Sequence, residues 1–356
     1  MSTPNFEALT NLLGRLGKAA KSVTPMPGGA STRKYFRLDL GGDSAVAMFF
    51  PEGGAPEEIQ KATPGRRWPF LEVQSLLAES GVDVPRIHAE DTHAGWIVLE
   101  DLGDDTLANW LLDNPNDKTA LYETAVRDLA KAQARLGSRP GDSIVAARAF
   151  DADLLKWEIE HFREWGLEAR GLSMSATDRE RFDVIGTRLA DRIAALPRGF
   201  VHRDYQSRNL MVRRNTRSLV WIDFQDALLG PRVYDLVALL NDSYQEFDRS
   251  FVEARLSDFA EAAKLDDASR SSLVTQFDLV TVQRKLKDAG RFVFIDRKKQ
   301  NSGFLRFVEP TIEKVRSSLG RLAPSDVDMA ELAGILDRAL ASAPVASTAL
   351  ASDPER

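Results

Sequence analysis

Residues 199–231 read GFVHRDYQSRNLMVRRNTRSLVWIDFQDALLGP, and this stretch decides the fold. Its apolar runs at 210–212 and 219–222 flank a basic turn and predict a β-hairpin. Asn209 precedes the first run and Asp223 follows the second. The open ends of a hairpin lie side by side, with facing Cβ atoms roughly 5 Å apart, so the two side chains can share a cation. Oxygen ligands without His or Cys select a hard ion, and Mg²⁺ held by protein oxygens together with phosphates is the usual solution.

The same stretch contains an ordered set of polar residues. H-R-D occupies residues 202–204, and Asn209 follows five positions after Asp204. This order fits the catalytic-loop pattern H-R-D-x-x-x-x-N of kinases, and D-F-Q at 223–225 stands where those proteins have D-F-G. Each tripeptide alone also occurs as a surface ion pair or a helix cap. The complete set around a hairpin predicts ATP-dependent phosphoryl transfer with Asp204 as the catalytic carboxylate.

The chain before residue 105 has strand character. KYFRLDL and SAVAMFF predict a hairpin over 34–50, because Gly41-Gly42-Asp43 between them supplies turn chemistry. Pro69 opens a helix that ends at Gly81. A buried strand within GWIVLEDLGD then leads into an acidic connector at 100–104.

Beyond Thr106 the periodicity is mostly helical. The predicted helices cover residues 117–137, 150–165, 178–195, 233–246, 250–263, 267–290 and 325–342. The prediction is an α+β, two-lobed protein-kinase-like fold, with a small β-rich N-terminal lobe at 1–101 and a larger helical lobe at 102–343. The segment 344–356 has few bulky apolar residues and predicts a frayed tail.

Composition limits the possible partners and compartments. The net charge of -6 argues against a surface for nucleic acid, which requires a basic excess. The sequence has no cysteine, so disulfides, Cys-ligated zinc and thiol catalysis are excluded. The first residues lack a signal-peptide apolar region, and no apolar segment approaches the ~20 residues that span a bilayer. We therefore expect a cytoplasmic protein without membrane partners.

Three segments together carry a family resemblance, namely VHRDYQSRNLMV, WIDFQD and GPRVYDLVALLND. They resemble the aminoglycoside-phosphotransferase and choline-kinase-like superfamily. Softer motifs such as GGASTRKYFR, WEIEHFREW and VQRKLKDAG are similar to those of bacterial anomeric kinases that act on N-acetylmuramate and N-acetylglucosamine in cell-wall recycling. The resemblance covers roughly residues 25–310 and implies ATP and an amino sugar as substrates.

The resemblance implies roles for particular residues. It makes Asp204 the catalytic base, with Asn209 and Asp223 as Mg²⁺ ligands. The connector becomes the hinge whose backbone groups bind adenine, and it consists of Glu100, Asp101 and Leu102.

Two further acids match family positions. Glu72, on the helix that starts at Pro69, matches the acid that pairs with a phosphate-contacting lysine, although a solvated helix position explains it equally well. Asp235 matches a carboxylate that braces the catalytic loop, and an ordinary acid at a helix N-terminus is the alternative.

The sequence departs from the kinase pattern at the strand lysine. The corresponding strand reads V-A-M-F at 46–49 and has no lysine. Arg33, Lys34 and Arg37 are the candidates for the phosphate clamp, because they lie on the turn and strand that would cover the nucleotide. Simple alternation on an exposed strand is the competing explanation. Lys61 and Arg66 are the next candidates.

For the acceptor, Glu158 in WEIEHFREW is the first choice, because a carboxylate can accept hydrogen bonds from two sugar hydroxyls. Gln206 and Arg208 lie within the catalytic loop and can reach an acceptor. Arg284 and Lys287 offer charge-assisted bonds to the lactyl carboxylate of N-acetylmuramate. This mixture of charges favours a neutral or anionic acceptor.

Two other functions stay open. One is a kinase for an aminoglycoside, a choline-like compound or another small alcohol, whose cationic acceptor would call for several acids around the site. The other is a pseudokinase that binds nucleotide and acts as a scaffold, which only the missing strand lysine supports. We expect a monomer that uses ATP and Mg²⁺.

Overall fold

The computed structural model describes residues 3–27, 33–51, 68–137 and 142–342. The predicted tail, Lys61 and Arg66 lie outside these ranges. The chain divides into two compact units. The first comprises residues 1–149, 199–239 and 254–265, and the second comprises 150–198, 240–253 and 266–356. The lobe boundary between residues 101 and 102 stays a prediction.

An antiparallel five-stranded sheet forms the N-terminal part of the first unit. Its strands, in sequence order, are β1 Ser22–Pro25, β2 Lys34–Asp39, β3 Ser44–Phe49, β4 Ile87–Asp91 and β5 Trp96–Glu100. They are arranged in the order β1-β2-β3-β5-β4. The predicted hairpin over 34–50 is confirmed, since β2 pairs with β3 from Lys34 opposite Phe49 to Asp39 opposite Ser44. Gly41 makes its turn with a φ of 82°.

Alternation along β2 gives this sheet two different faces. Phe36 and Leu38 are buried in one apolar cluster with Trp96. Since successive side chains of a strand point to opposite faces, Tyr35 and Arg37 lie on the other face. The sheet thus presents a tyrosine and an arginine on the side away from its apolar cluster.

The helices follow in chain order. They are α1 Phe6–Arg15, α2 Pro69–Glu79, α3 Leu107–Asp113, α4 Lys118–Leu136, α5 Ala152–His161, α6 Ala176–Ala194, α7 Tyr234–Leu240, α8 Arg249–Ala262, α9 Asp267–Lys299, α10 Val308–Leu322 and α11 Val327–Ala341. Leu9, Leu12 and Leu13 of α1 join the apolar cluster of the sheet. The predicted helix from Pro69 is confirmed as α2.

The middle of the chain contributes four short strands. They are β6 Arg198–Val201, β7 Leu210–Val212, β8 Leu219–Trp221 and β9 Leu228–Pro231. Strand β6 pairs with β9, and β7 pairs with β8. The second pair confirms the hairpin predicted from residues 199–231, whereas β6 and β9 were not predicted.

In the second unit, α9 packs closely against the π-helical segment Phe162–Leu167 that continues α5. A Cβ atom on Gly290 would lie 2.9 Å from the Cα atom of Phe162. Only a glycine therefore permits this approach of the two helices without displacing the backbone.

Two predicted helix ends were wrong. The helix predicted over 233–246 stops at Leu240, because the polar residues that follow form local bonds instead: the Oδ1 atom of Asp242 accepts a hydrogen bond of 3.0 Å from the N–H of Tyr244. The helix predicted over 267–290 continues to Lys299, since Phe292, Val293 and Ile295 remain buried along the added turns.

The β-sheet N-terminal part and the mainly helical C-terminal part confirm the predicted α+β class. Within the described ranges, no helix combines the length and the apolar character required to cross a bilayer.

Candidate phosphoryl-transfer site

The hairpin of β7 and β8 brings the two predicted metal ligands to one edge. Leu210 pairs with Trp221, and the N–H of Ile222 donates a hydrogen bond of 3.0 Å to the carbonyl of Asn209. Asn209 and Asp223 therefore occupy the neighbouring ends of the two strands, as the sequence predicted.

The loop before β7 is closed on itself. The Nδ2 atom of Asn209 donates a hydrogen bond of 2.8 Å to the carbonyl of Asp204, and the N–H of Gln206 donates another of 2.8 Å to the same carbonyl. Because the amide nitrogen of Asn209 is committed to the loop, its Oδ1 atom is the end left to act as an acceptor or a ligand. These bonds fix the backbone of Asp204, whose side chain is half-buried.

Asp235 of α7 braces the other end of this loop. Its fully buried carboxylate accepts hydrogen bonds from the N–H of His202 at 2.6 Å and from the N–H of Arg203 at 3.0 Å. Arg203 has a φ of 78°, which side chains other than glycine rarely adopt. Such conformations persist where the surroundings impose them, and the Asp235 carboxylate is one such constraint.

Asp223 is also held in the left-handed region, with a φ of 62°. Its Oδ1 atom lies 3.2 Å from the Nη1 atom of Arg33 and accepts a hydrogen bond of 3.1 Å from the Nε2 atom of Gln225. The side chain of Asp223 is 43% exposed, whereas Arg33 is 8% exposed. The carboxylate can thus be reached from solvent while its protein partners hold its direction.

Burial controls the protonation of two neighbours in this site. Burial lowers the pKa of His202 from 6.5 to about 4, so its ring is neutral at pH 7. Burial raises the pKa of Asp226, and the charges of Arg203 and Arg33 oppose that rise. The site therefore contains a further acid, the half-buried Asp226, that the sequence analysis did not single out.

The two arginine candidates for the phosphate clamp occupy different places. Arg33 meets Asp223, and its guanidinium lies 5.3 Å from the ring centre of Phe50. Arg37 instead binds Asp101 and Asp104, at 2.9 Å each. Lys34 opens β2 on the face opposite to Arg37. Within the described part of the chain, Arg33 is the one of these three that forms an ion pair with a predicted metal ligand, Asp223.

The predicted hinge borders a cavity of about 550 Å³. Its lining includes Asp101, Leu102, Gly103 and Met211. This volume falls in the range of small-molecule sites. Asp101 shapes the connector, because its Oδ1 atom accepts a hydrogen bond of 3.0 Å from the N–H of Gly103.

Glu100, at the end of β5, is held by two arginines. Its carboxylate lies 2.7 Å from the Nη1 atom of Arg213 and accepts a hydrogen bond of 3.2 Å from the N–H of Arg86. Burial opposes ionisation of this acid, but these contacts outweigh it and lower the pKa of Glu100. The Glu100 side chain therefore joins β5 to the turn of the β7–β8 hairpin.

Glu72 of α2 accepts a hydrogen bond of 2.6 Å from the N–H of Ile144. The same helix packs on the stretch after β8, since the rings of Phe70 and Phe224 lie 5.0 Å apart. Pairing of Glu72 with a phosphate-contacting lysine stays a prediction.

The donor set fits a hard divalent cation. Asn209 offers an amide oxygen and Asp223 a partly exposed carboxylate, and both are ligand types of Mg²⁺. Among the described residues, no group of three or more His, Cys, Asp or Glu side chains converges into a metal site. A cation held here would need phosphate or water oxygens to complete its coordination.

The acceptor candidates fall in both units. Gln206 and Arg208 belong to the loop before β7 in the first unit, where Gln206 is half-buried and Arg208 is exposed. Glu158 of α5 and Arg284 of α9 belong to the second unit, and both are 0% exposed. Glu158 accepts a hydrogen bond of 2.9 Å from the Nε2 atom of Gln283. Direct contact of the two buried residues with an acceptor would require movement, so their roles stay predictions.

A buried charged network surrounds Arg284 in the second unit. Asp288 lies 2.8 Å from the Nζ atom of Lys285 and 3.4 Å from that of Lys287. Burial lowers the pKa of Lys285, and the charge of Asp288 opposes this shift. The positive charge predicted along VQRKLKDAG is thus partly compensated inside the helical unit.

The sequence analysis missed Arg148, Asp226 and Gln283. Asp226 follows D-F-Q directly, so its position next to the motif was an available signal. Arg148 and Gln283 reach their partners across 77 and 125 positions of sequence, and no local pattern indicates such contacts.

Comparison with known proteins shows relatives along most of the chain. The model of the phosphotransferase enzyme family, APH, matches residues 22–268. An N-acetylmuramate/N-acetylglucosamine kinase of Pseudomonas putida is 33% identical over 319 residues, which cover 88% of this chain and 88% of that protein. A kinase of the same name from Neisseria meningitidis serogroup B is 32% identical over 317 residues, covering 86% and 89%.

Solved structures share the fold at lower identity. Choline kinase LicA from Streptococcus pneumoniae superposes with a TM-score of 0.60 at 15% identity, covering 88% of this chain and 99% of that chain. The gentamicin complex of APH(2'')-IIa superposes with a TM-score of 0.59 at 13% identity, covering 92% and 99%. At these identities the likeness concerns the fold alone.

Proposed function

Because the chain belongs to the phosphotransferase enzyme family, we propose that it is an ATP-dependent kinase of N-acetylmuramate, N-acetylglucosamine or both. The observation that carries this acceptor is the 33% identity to the Pseudomonas putida kinase over 88% of both chains. We further propose that the phosphoryl group is transferred to the anomeric 1-hydroxyl, in the recycling of peptidoglycan sugars. The resemblance of the softer sequence motifs supports this position.

In the proposed reaction, the acceptor hydroxyl attacks the γ-phosphorus of ATP. The Asp204 carboxylate orients this hydroxyl and accepts its proton as the new P–O bond forms and the bond to ADP breaks. The hydrogen bonds from Asn209 and Gln206 to the Asp204 carbonyl hold the base in place. Asp235 holds the preceding residues through two N–H groups, so the base does not have to be ordered during the reaction.

Asn209 and Asp223 would hold Mg²⁺, which when bound neutralises charge on the β- and γ-phosphates. Arg33 is our candidate for the cation that contacts the phosphates, because it is buried beside Asp223. Its guanidinium offers several donors in a fixed plane, which suits phosphate oxygens. The connector of Glu100, Asp101 and Leu102, beside the 550 Å³ cavity, is our candidate for the adenine site.

The site of phosphorylation can be tested directly. The protein is incubated with ATP, Mg²⁺ and each amino sugar, and the products are recorded by phosphorus and proton NMR. We expect coupling of phosphorus to the anomeric proton, and no turnover of the methyl glycoside, in which the anomeric hydroxyl is blocked. Coupling to the C6 protons, or turnover of the methyl glycoside, would contradict the anomeric assignment.

The same assay tests other acceptors, and a separate measurement tests the assembly state. Choline and gentamicin serve as cationic acceptors, and we expect neither to be phosphorylated at a rate comparable to the amino sugars. We also propose a cytoplasmic monomer, for which light scattering after size-exclusion chromatography should give a mass close to 39.5 kDa.

A further inference from the structure

The strand that carries a lysine in other kinases has none in this chain, so no strand lysine is available to pair with Glu72. In such kinases the ion pair between the strand lysine and the helix glutamate must be in place for activity. Strand β3 offers Val46, Ala47, Met48 and Phe49 instead. A polar connection between α2 and the stretch after β8 must therefore come from other residues.

The segment 142–149 contacts both of these elements. At its start, the N–H of Ile144 donates a hydrogen bond of 2.6 Å to the Oε1 atom of Glu72. At its end, Ala149 forms a parallel bridge with Leu229. Ile144 is buried, so the segment is anchored between α2 and the stretch that follows Asp223.

Arg148 is the cation of this segment. It is 7% exposed, and its Nη1 atom donates a hydrogen bond of 2.8 Å to the carbonyl of Gln225. Its own carbonyl accepts a hydrogen bond of 3.0 Å from the N–H of Leu229. Gln225 in turn donates from Nε2 to Asp223 at 3.1 Å and to Asp226 at 3.2 Å. Arg148 is therefore connected to Asp223 through one intervening residue, Gln225.

Two other nitrogen atoms of the Arg148 guanidinium can still donate hydrogen bonds. Within the part of the chain that the structure describes, the Nε and Nη2 atoms of Arg148 are buried and have no hydrogen-bond partner. Burial lowers the pKa of Arg148, and the charges of Asp226 and Glu72 oppose this shift. A buried guanidinium is costly unless it is paired, and a carboxylate can take two parallel N–H bonds from it.

We propose that Arg148 is a positioning residue for phosphoryl transfer, which ties Glu72 of α2 to the Asp223–Asp226 stretch in place of the missing strand lysine. This inference rests on the proposed function, because it concerns the same metal-nucleotide site. Arg148 touches neither phosphate nor acceptor in this proposal. It holds the direction of the Asp223 carboxylate through Gln225 and balances the charge of Glu72.

The test compares Arg148→Met, Arg148→Lys and Glu72→Gln with Arg255→Met. Arg255 is a matched control, since it is 8% exposed in the same unit and pairs with Asp258 of its own helix, α8. Binding of Mn²⁺·ATP is measured by electron paramagnetic resonance and needs no acceptor. Turnover is measured with whichever amino sugar the protein phosphorylates, and thermal unfolding of each variant is recorded.

For Arg148→Met we expect roughly a 10- to 100-fold loss of kcat, as for loss of one buried charge-assisted contact. The KM for the acceptor should not change, and binding of Mn²⁺·ATP should weaken. Arg148→Lys should recover part of the loss. In the double variant Arg148→Met/Glu72→Gln, the fold-loss of kcat should be smaller than the product of the two single fold-losses.

Three results would overturn the proposal. One is a normal kcat and normal Mn²⁺·ATP binding in Arg148→Met. Another is additivity with Glu72→Gln, and the third is a loss that simply follows a lower unfolding temperature and recurs in Arg255→Met. If no amino sugar is phosphorylated by the unaltered protein, the acceptor proposal fails, whereas the binding measurements still decide the role of Arg148. If Arg148→Met does not fold, the variants Arg148→Lys and Glu72→Gln decide the role of Arg148.

Discussion

The Nη1 atom of Arg33 lies 3.2 Å from the Oδ1 atom of Asp223, although 190 positions of sequence separate the two residues. Arg33 immediately precedes β2, and Asp223 lies two positions after Trp221, the last residue of β8. The pair therefore joins the N-terminal sheet to the hairpin of the candidate site. It also places a buried cation beside the carboxylate that we assign to the metal.

Arg33→Ala should raise the KM for ATP by about 10-fold or more, because a charge-assisted contact to phosphate is lost. The KM for the acceptor should not change. Arg37→Ala is the comparison, since Arg37 binds Asp101 and Asp104 and should affect ATP less. Initial rates at varied ATP measure both. A shift in the ATP dependence of Arg37→Ala alone would assign the clamp to Arg37.

Asp204→Asn should lower kcat by roughly 10²-fold or more, because the amide cannot accept the acceptor proton. Calorimetric titration with ATP should give nearly the same affinity as the unaltered protein, since the loop is held by backbone contacts of Asp204. Near-normal turnover in this variant would remove Asp204 from the mechanism.

Asp223→Ala should abolish turnover and the dependence of ATP binding on Mg²⁺, because a carboxylate ligand is lost. Asp267→Ala, at an exposed acid of α9, is the control that should behave like the unaltered protein. Both activity and Mn²⁺ binding are measured over a range of metal concentrations. Full activity in excess chelator would contradict the metal assignment.

Buried His202 should make the fold sensitive to acid. Its pKa is about 4 in the folded chain and near 6.5 when exposed, so between these values the unfolded state binds more protons than the folded state. Stability therefore falls as the pH is lowered from 6.5 to 4, by about 3 kcal/mol from this group. Above pH 6.5 this contribution no longer changes.

Urea unfolding at several pH values between 4 and 7 checks this dependence. His202→Gln cannot titrate in this range, so its stability should change less with pH than that of the unaltered protein. If the free energy of unfolding changed with pH equally in both proteins, the acid sensitivity would belong to other groups.

The sequence predicts the hairpin of β7 and β8 well, because its geometry follows from local rules. Two short apolar runs and a turn are enough to bring Asn209 and Asp223 together. The position of Arg33 was partly predictable, since only a few cations lie near β2. The sequence does not decide between Arg33 and Arg37, because that choice depends on which carboxylates the folded sheet meets.

Longer-range features were not predictable from the sequence. The helix periodicity over 233–246 does not reveal that Asp242 bonds to the backbone and ends the helix at Leu240. The pattern also places Glu158 and Arg284 on helices without showing that both are fully buried. Burial of a polar residue is decided by tertiary packing, on which a single helical period carries little information.

The first unit is assembled from three separate pieces of the chain, residues 1–149, 199–239 and 254–265. During synthesis, the N-terminal sheet emerges long before the hairpin that bears Asn209 and Asp223. Residues 150–198 and 240–253 of the second unit must therefore be synthesised before the last piece of the first unit, residues 254–265. A cut anywhere between residues 150 and 198 gives an N-terminal fragment that lacks the catalytic loop, so the two halves could regain activity only by complementation when both are expressed together.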